Sequence, residues 1–156
     1  GYRNLDVPYV GWVGSHSSML ITLTPEEFDN LSSELQNGFD WQPTDDGGGD
    51  VQTWIGGQNI NGDINSTNGY YYDNPNLIDY NVDVDCESMY EFCTNFLELV
   101  SDYPNNTIPY DGTPDGNDGN CNSFLNTLIQ NAGGSVDPDD VPYNAYGWYH
   151  IQKIAE

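Results

Sequence analysis

The chain has 156 residues, 37% of them hydrophobic, with 12 tyrosines and 4 tryptophans, so it is long enough for one packed core and too aromatic for a disordered acidic tail. Twenty-five acidic residues against only Arg3 and Lys153 give a formal charge of −23, which argues against binding of DNA, RNA or anionic lipid, because two cations cannot neutralise a run of phosphates. No apolar run reaches the length of a membrane span and the start carries no secretory signal, so Gly1 is expected to open a processed or excised piece.

Residues 1–9 read as an extended lead-in containing Pro8. His16 follows, immediately before Met19-Leu20-Ile21-Thr22-Leu23, a buried strand bounded by Thr24-Pro25. Thr24 as cap, Pro25 in the first turn and Glu26 and Glu27 after it predict a short helix running to Gln36, stopped by Asn37-Gly38. A polar loop, Gln42 to Asp50, leads to a strand at Val51 to Ile55. The long Asn-, Gly- and Tyr-rich stretch from Gln58 to Asn81 has little pattern and is expected to wall a substrate cleft. Asp85 to Tyr103 is the clearest helix: Asp85 caps it, Met89, Phe92, Cys93, Phe96, Leu97, Leu99 and Val100 form its apolar face, and Pro104 ends it. A glycine- and aspartate-rich loop, Asp111 to Asn120, precedes a second amphipathic helix with Phe124, Leu125, Leu128, Ile129 and Ala132 on one face and Gly133-Gly134 as its stop. No internal repeat or dividing linker is visible, so residues 1–156 read as a single α+β domain.

Cys121 opens that second helix. Unpaired backbone N–H groups and the positive end of the helix dipole lie there, and both favour a thiolate over a thiol. His16, at the mouth of a strand, is placed to take the thiol proton, since geometry and not sequence distance defines such a pair. A histidine opening a core strand, followed about a hundred residues later by Asn120-Cys121-Asn122-Ser123-Phe124 at a helix start, resembles the circularly permuted papain-like hydrolases, loosely over residues 10–134. In that superfamily the catalytic histidine precedes the cysteine. The resemblance implies a small antiparallel sheet packed against the nucleophile helix and a second helix, with Cys121 as nucleophile, His16 as base and Thr53-Trp54-Ile55-Gly56-Gly57-Gln58 as the second core strand.

An imidazole base also needs a polar residue to orient it. If Thr24 pairs opposite Val51 in an antiparallel ladder, His16 faces Asn59, and a slip of one residue brings Gln58 there; Gln58 is nominated first and Asn59 second. His150 also follows Cys121, as in the unpermuted order. The segment between them is short and turn-rich, however, so His150 is expected on a C-terminal strand with its ring at the surface. The Asp111–Asn120 loop supplies oxygen ligands that invite calcium, but a calcium-binding EF-hand loop starting at Asp115 would need an acidic residue where Asn126 stands. Otherwise no cofactor is expected, and no zinc spacing exists among two histidines and three cysteines. Cys86 and Cys93 are too far apart on one helix to bridge, about 10 Å. In an oxidising compartment a Cys86–Cys121 bridge, or a Cys86–Cys93 bridge with Cys86 outside the helix, stays open.

These features point to a cysteine hydrolase of the peptidase or amidase type, acting on a peptide, peptidoglycan or other amide as a monomer or as a domain of a larger protein. The charge adds secretion into a saline setting, and an acidic non-catalytic binding domain on the same scaffold is the alternative. A prediction follows from the charge alone. Self-repulsion at −23 opposes compaction, and the screening length falls from about 10 Å at 0.1 M salt to about 3 Å at 1 M. The melting temperature is therefore expected to rise from dilute buffer to molar sodium chloride. A flat response would remove the saline inference, and a response to millimolar calcium with none to sodium would favour a specific ion site.

Overall fold

The computed structural model describes residues 8–13, 16–44, 47–68, 78–84, 89–114 and 118–152. The chain opens on a β-hairpin, β1 (Tyr9–Val13) and β2 (His16–Leu23), with Val13 opposite His16 and Tyr9 opposite Leu20. The expected lead-in is thus a strand by Tyr9. Two short helices follow where one was expected, α1 (Pro25–Asp29) and α2 (Ser33–Asn37). Thr24 and Glu27 form a reciprocal cap on α1, and Ser32 accepts from the Leu35 N–H to start α2.

β3 (Gln42–Pro43) and β4 (Val51–Ile60) come next, and β4 is twice the length expected because it continues through Gly56-Gly57 to Ile60. It then turns back through Asn61 and Gly62, both at positive φ (54° and 91°), into β5 (Asp63–Asn68). That is the mirror-image turn that matches strand twist and selects Asn-Gly. β6 (Ile78–Asn81) pairs with β1, so the expected structureless stretch contributes two strands; residues 69–77 lie outside the described residues. The strands form one antiparallel sheet of six in the order β3-β4-β2-β1-β6, with β5 also on β4, larger than the small sheet expected. A second, two-stranded sheet joins β7 (Asp83–Val84) to β8 (Gly134–Ser135).

The β2–β4 register pairs Leu23 with Val51 and Met19 with Ile55, one residue off the expected Thr24–Val51 pairing. α3 (Met89–Ser101) and α4 (Cys121–Ala132) pack on each other and α4 lies on β2 and β4. The expected cap Asp85 lies outside the described residues, and Met89, assigned to the apolar face, is exposed. The core joins Val10, Trp12, Met19, Ile21 and Ile55 of the sheet to Phe92, Phe96 and Leu97 of α3 and Phe124, Leu125, Leu128 and Ile129 of α4. Gly57 is what lets α4 lie this close, since a Cβ there would stand 2.7 Å from Phe124 Cγ. Gly133, left-handed at φ 99°, ends α4 and receives the chain into β8. No helix among the described residues is long and apolar enough to cross a membrane.

After β8 the described residues form no further strand, so His150 is not on one. The chain runs through a short 3-10 turn (Pro138–Asp140) and successive turns to Gln152, an irregular strap across α4. The strap is held because the polar side chains of α4 are buried and take their hydrogen bonds from it. Asn126 Nδ2 donates to the Trp148 carbonyl (2.8 Å), and the Gln152 N–H donates to Thr127 Oγ1 (2.9 Å). Gln152 also accepts the buried Tyr103 hydroxyl at 3.0 Å, and the Trp148 ring lies 5.3 Å from that of Trp12.

Candidate active site

Cys121 is the first residue of α4. Its cap, Asn120, accepts the N–H groups of Asn122 and Ser123 at 3.0 Å each, and the Ser123 hydroxyl returns to accept the Asn120 N–H. This reciprocal cap satisfies two of the orphan donors of the helix end, and the Cys121 N–H is not one of them. His16 opens β2, with Nδ1 3.4 Å from Cys121 Sγ. The neighbouring pair is tied as well: Ser17 Oγ donates to Asn122 Oδ1 at 2.6 Å in the interior. Two consecutive residues of β2 thus meet two consecutive residues of α4, which fixes the mouth of the strand on the start of the helix.

Around the sulfur lies a small open hollow, about 90 Å³, lined by His16, Tyr110, Gly112, Asn120, Cys121, Asn122 and Tyr146. Tyr110 was not singled out in the sequence. It bridges to Gly119, donates its N–H to the Gly62 carbonyl, and lines the hollow with Cys121. The strap closes one side: the Tyr146 carbonyl accepts both Asn120 Nδ2 (2.7 Å) and Asn122 Nδ2 (3.0 Å). Asn120 and Asn122 of the Asn-Cys-Asn run therefore serve as cap and tethers. The polar residue flanking each half of the pair was the signal that could have revealed them.

The helix-terminus argument for a thiolate needs correction. Burial pushes the Cys121 thiol up, against the N–H groups of Ser17, Asn122 and Cys121 itself and the Tyr110 phenol, which pull it down. Burial thus works against ionisation of the thiol, and His16 Nδ1, 3.4 Å from the sulfur, is the proton acceptor within reach. Burial likewise pushes Tyr110 up to about 12, so its phenol stays a donor through neutral pH.

The nominated orienting residues are not brought to His16. The register puts Gln58 in line with it, but the β2–β4 ladder stops at Met19–Ile55, and beyond that β4 is paired on its other edge, with β5. Gln58 is exposed and opposite Asn65, while Asn59 Oδ1 accepts the Gly62 N–H at 2.8 Å and so holds the hairpin turn. Neither hydrogen-bonds His16 among the described residues. His150 lies half-buried in the strap, outside the hollow. The aspartate loop falls partly outside the described residues, at 115–117. Among those described, no three His, Cys, Asp or Glu side chains gather to hold a metal ion.

Cys93 provides an internal contrast. It is a core residue of α3, and burial, with Glu27 adding to it, pushes its thiol up to about 12. In the native protein iodoacetamide is expected to alkylate Cys121 and to reach Cys93 only after unfolding, as read by peptide mass mapping; equal rates at the two would contradict the hollow. The sign for stability follows from linkage. Above pH 9 the unfolded chain releases the Cys93 proton while the folded chain keeps it, so folding stability falls as pH rises from about 9 toward 12. Tyr103, buried and also pushed upward, acts in the same direction above the ordinary tyrosine range. Urea titrations at pH 8 and 10.5 check this.

Comparison of the chain with protein-family models, with curated proteins and with solved structures finds no match.

Proposed function

We propose that this chain is a cysteine-nucleophile hydrolase of the peptidase or amidase type on a permuted papain-like core, secreted into a saline setting. The observation that carries the reading is the approach of His16 Nδ1 to Cys121 Sγ, 3.4 Å across 105 residues of sequence, at the rim of an open hollow. The Cys121 proton passes to His16 as the sulfur attacks the carbonyl carbon of an amide. The Cys121 N–H, which the Asn120 cap does not take, holds the oxyanion, and the Tyr110 phenol lines the same hollow. The C–N bond then breaks as His16 returns the proton to the leaving amine. Water, deprotonated by His16, attacks the thioester, releasing the acid and the free thiol. Peptide or peptidoglycan amides come ahead of thioesters or lipid esters as substrates.

The burial of Cys121, 6% exposed, favours a second reading, an acidic binding domain without turnover on the same scaffold. A peptidyl acyloxymethyl ketone separates the two. Stoichiometric labelling of Cys121, blocked by prior alkylation, is expected for the hydrolase, and no labelling under conditions where the fold is intact supports the binding domain.

A further inference from the structure

Among the described residues no carboxylate has a lysine or arginine for counter-charge, since the chain's only two, Arg3 and Lys153, lie outside them. The hollow around Cys121 shares that character. Its lining offers neutral hydroxyls and amides and one imidazole, and half-buried Asp111 lies in sequence between two lining residues, Tyr110 and Gly112. Asp137, Asp139 and Asp140 gather with Asp83 at the far end of α4 from Cys121, and the strap then carries three exposed tyrosines: Tyr143, 96% exposed, Tyr146, 59%, and Tyr149, 67%. Tyr146 is the one that reaches the hollow. Tyrosine rings held in water by a strap that buries Trp148 are not there for packing, and a phenol face in an acidic field attracts a cation.

We infer that the Cys121 site takes cationic amides: a peptide or amino-sugar peptide carrying a lysine, an arginine or a free amine beside the bond to be cleaved, with that cation against Tyr146 and drawn in by the protein's overall negative charge. A substrate with a carboxylate at that position would enter a like-signed field with no cationic side chain to receive it. This inference rests on the reactive-thiol reading above and adds to it the charge of the substrate. Two parts of the recognition separate by salt. Steering by the overall charge is lost as the screening length shrinks, while contact with the Tyr146 ring is short-ranged and persists.

The test uses the intact chain and three methanethiosulfonates that differ in their tails: trimethylammonium, neutral methyl and sulfonate. Rates at Cys121, followed by peptide mass mapping, are normalised to those of a small free thiol. At about 10 mM salt the normalised cation-to-anion ratio is expected to reach ~10-fold or more, the scale of electrostatic steering. In molar salt it should fall to a few-fold, and Tyr146→Ala should remove most of that remainder. Equal normalised rates for all three reagents, or a preference for the sulfonate, overturn the inference and leave the reactive thiol standing. A Cys121 that reacts with none of them, in protein shown to be folded, removes both. A matched pair of fluorogenic peptide amides, Lys-flanked and Glu-flanked, should give the same order in kcat/KM, and a preference for the Glu-flanked peptide would again overturn it.

Discussion

Cys121→Ala is expected to abolish amide hydrolysis with the fold intact, and His16→Ala to lower kcat by on the order of 10⁴-fold or more, because each substitution removes half of one proton-transfer unit. The double variant should be no worse than the worse single one, since residues that act as a unit do not lose activity additively. Neither change reaches the core: Cys121 borders the hollow, and the His16 side chain is exposed. Circular dichroism and melting temperature should therefore stay near those of the parent. His150→Ala should be mild by comparison, because His150 does not line the hollow. Full activity in either Cys121→Ala or His16→Ala would sink the mechanism, and loss on His150→Ala with His16→Ala active would restore the unpermuted order of cysteine before histidine.

The second large effect concerns the strap. Trp148→Ala is expected to cost about 3–5 kcal/mol, the range for deleting a buried aromatic ring. In a chain of this size that lowers the melting temperature by on the order of 10 °C. Trp148 is 2% exposed and lies against Trp12, so the vacated space opens directly beneath the sheet. The variant should also lose Cys121 selectivity in alkylation, because the carbonyl of Tyr146, two residues away, ties both Asn120 and Asn122. A cost below about 1 kcal/mol by urea unfolding would show that the strap is held by its hydrogen bonds and not by this ring.

What the sequence disclosed was mostly local. The helix start at Cys121, the apolar stripe of α4 and the Gly133 stop are short-range signals, and the structure has each in place. The approach of His16 to Cys121 was legible because a histidine at a strand mouth and a cysteine at a helix start are both readable one element at a time. What failed depended on partners. β1 was missed, Tyr9 falling in the expected lead-in and 10–13 given no element, because its pairing with β2 and β6 is tertiary and Gly11 dilutes the strand pattern. The single helix expected from Thr24 to Gln36 is two, although Ser32 was a visible second cap. The hairpin after β4 carried its own signal in Asn61-Gly62; reading that pair would have turned Asn59 into a turn residue before it was nominated to orient an imidazole. The one-residue register error has the same origin, because a ladder's offset is set by side chains on both strands and the helix beneath.

The buried amides of α4 have a consequence for the order in which the molecule comes into being. Asn122, Asn126 and Thr127 are inside the protein, and each depends for a hydrogen bond on a backbone group between Tyr146 and Gln152. A buried polar group left without its partner costs about 1–3 kcal/mol, so three together amount to much of a small domain's stability. As the chain is synthesised, α4 and the strand carrying His16 both exist well before residues 146–152 do. Until those residues dock, water must occupy the polar side of α4 and the wall of the hollow is missing. The strand and helix that bear the two reactive side chains are thus made before the enclosure that makes them a site, and a ribosome-bound chain that ends before Tyr146 should expose Cys121 to alkylation without discrimination by charge.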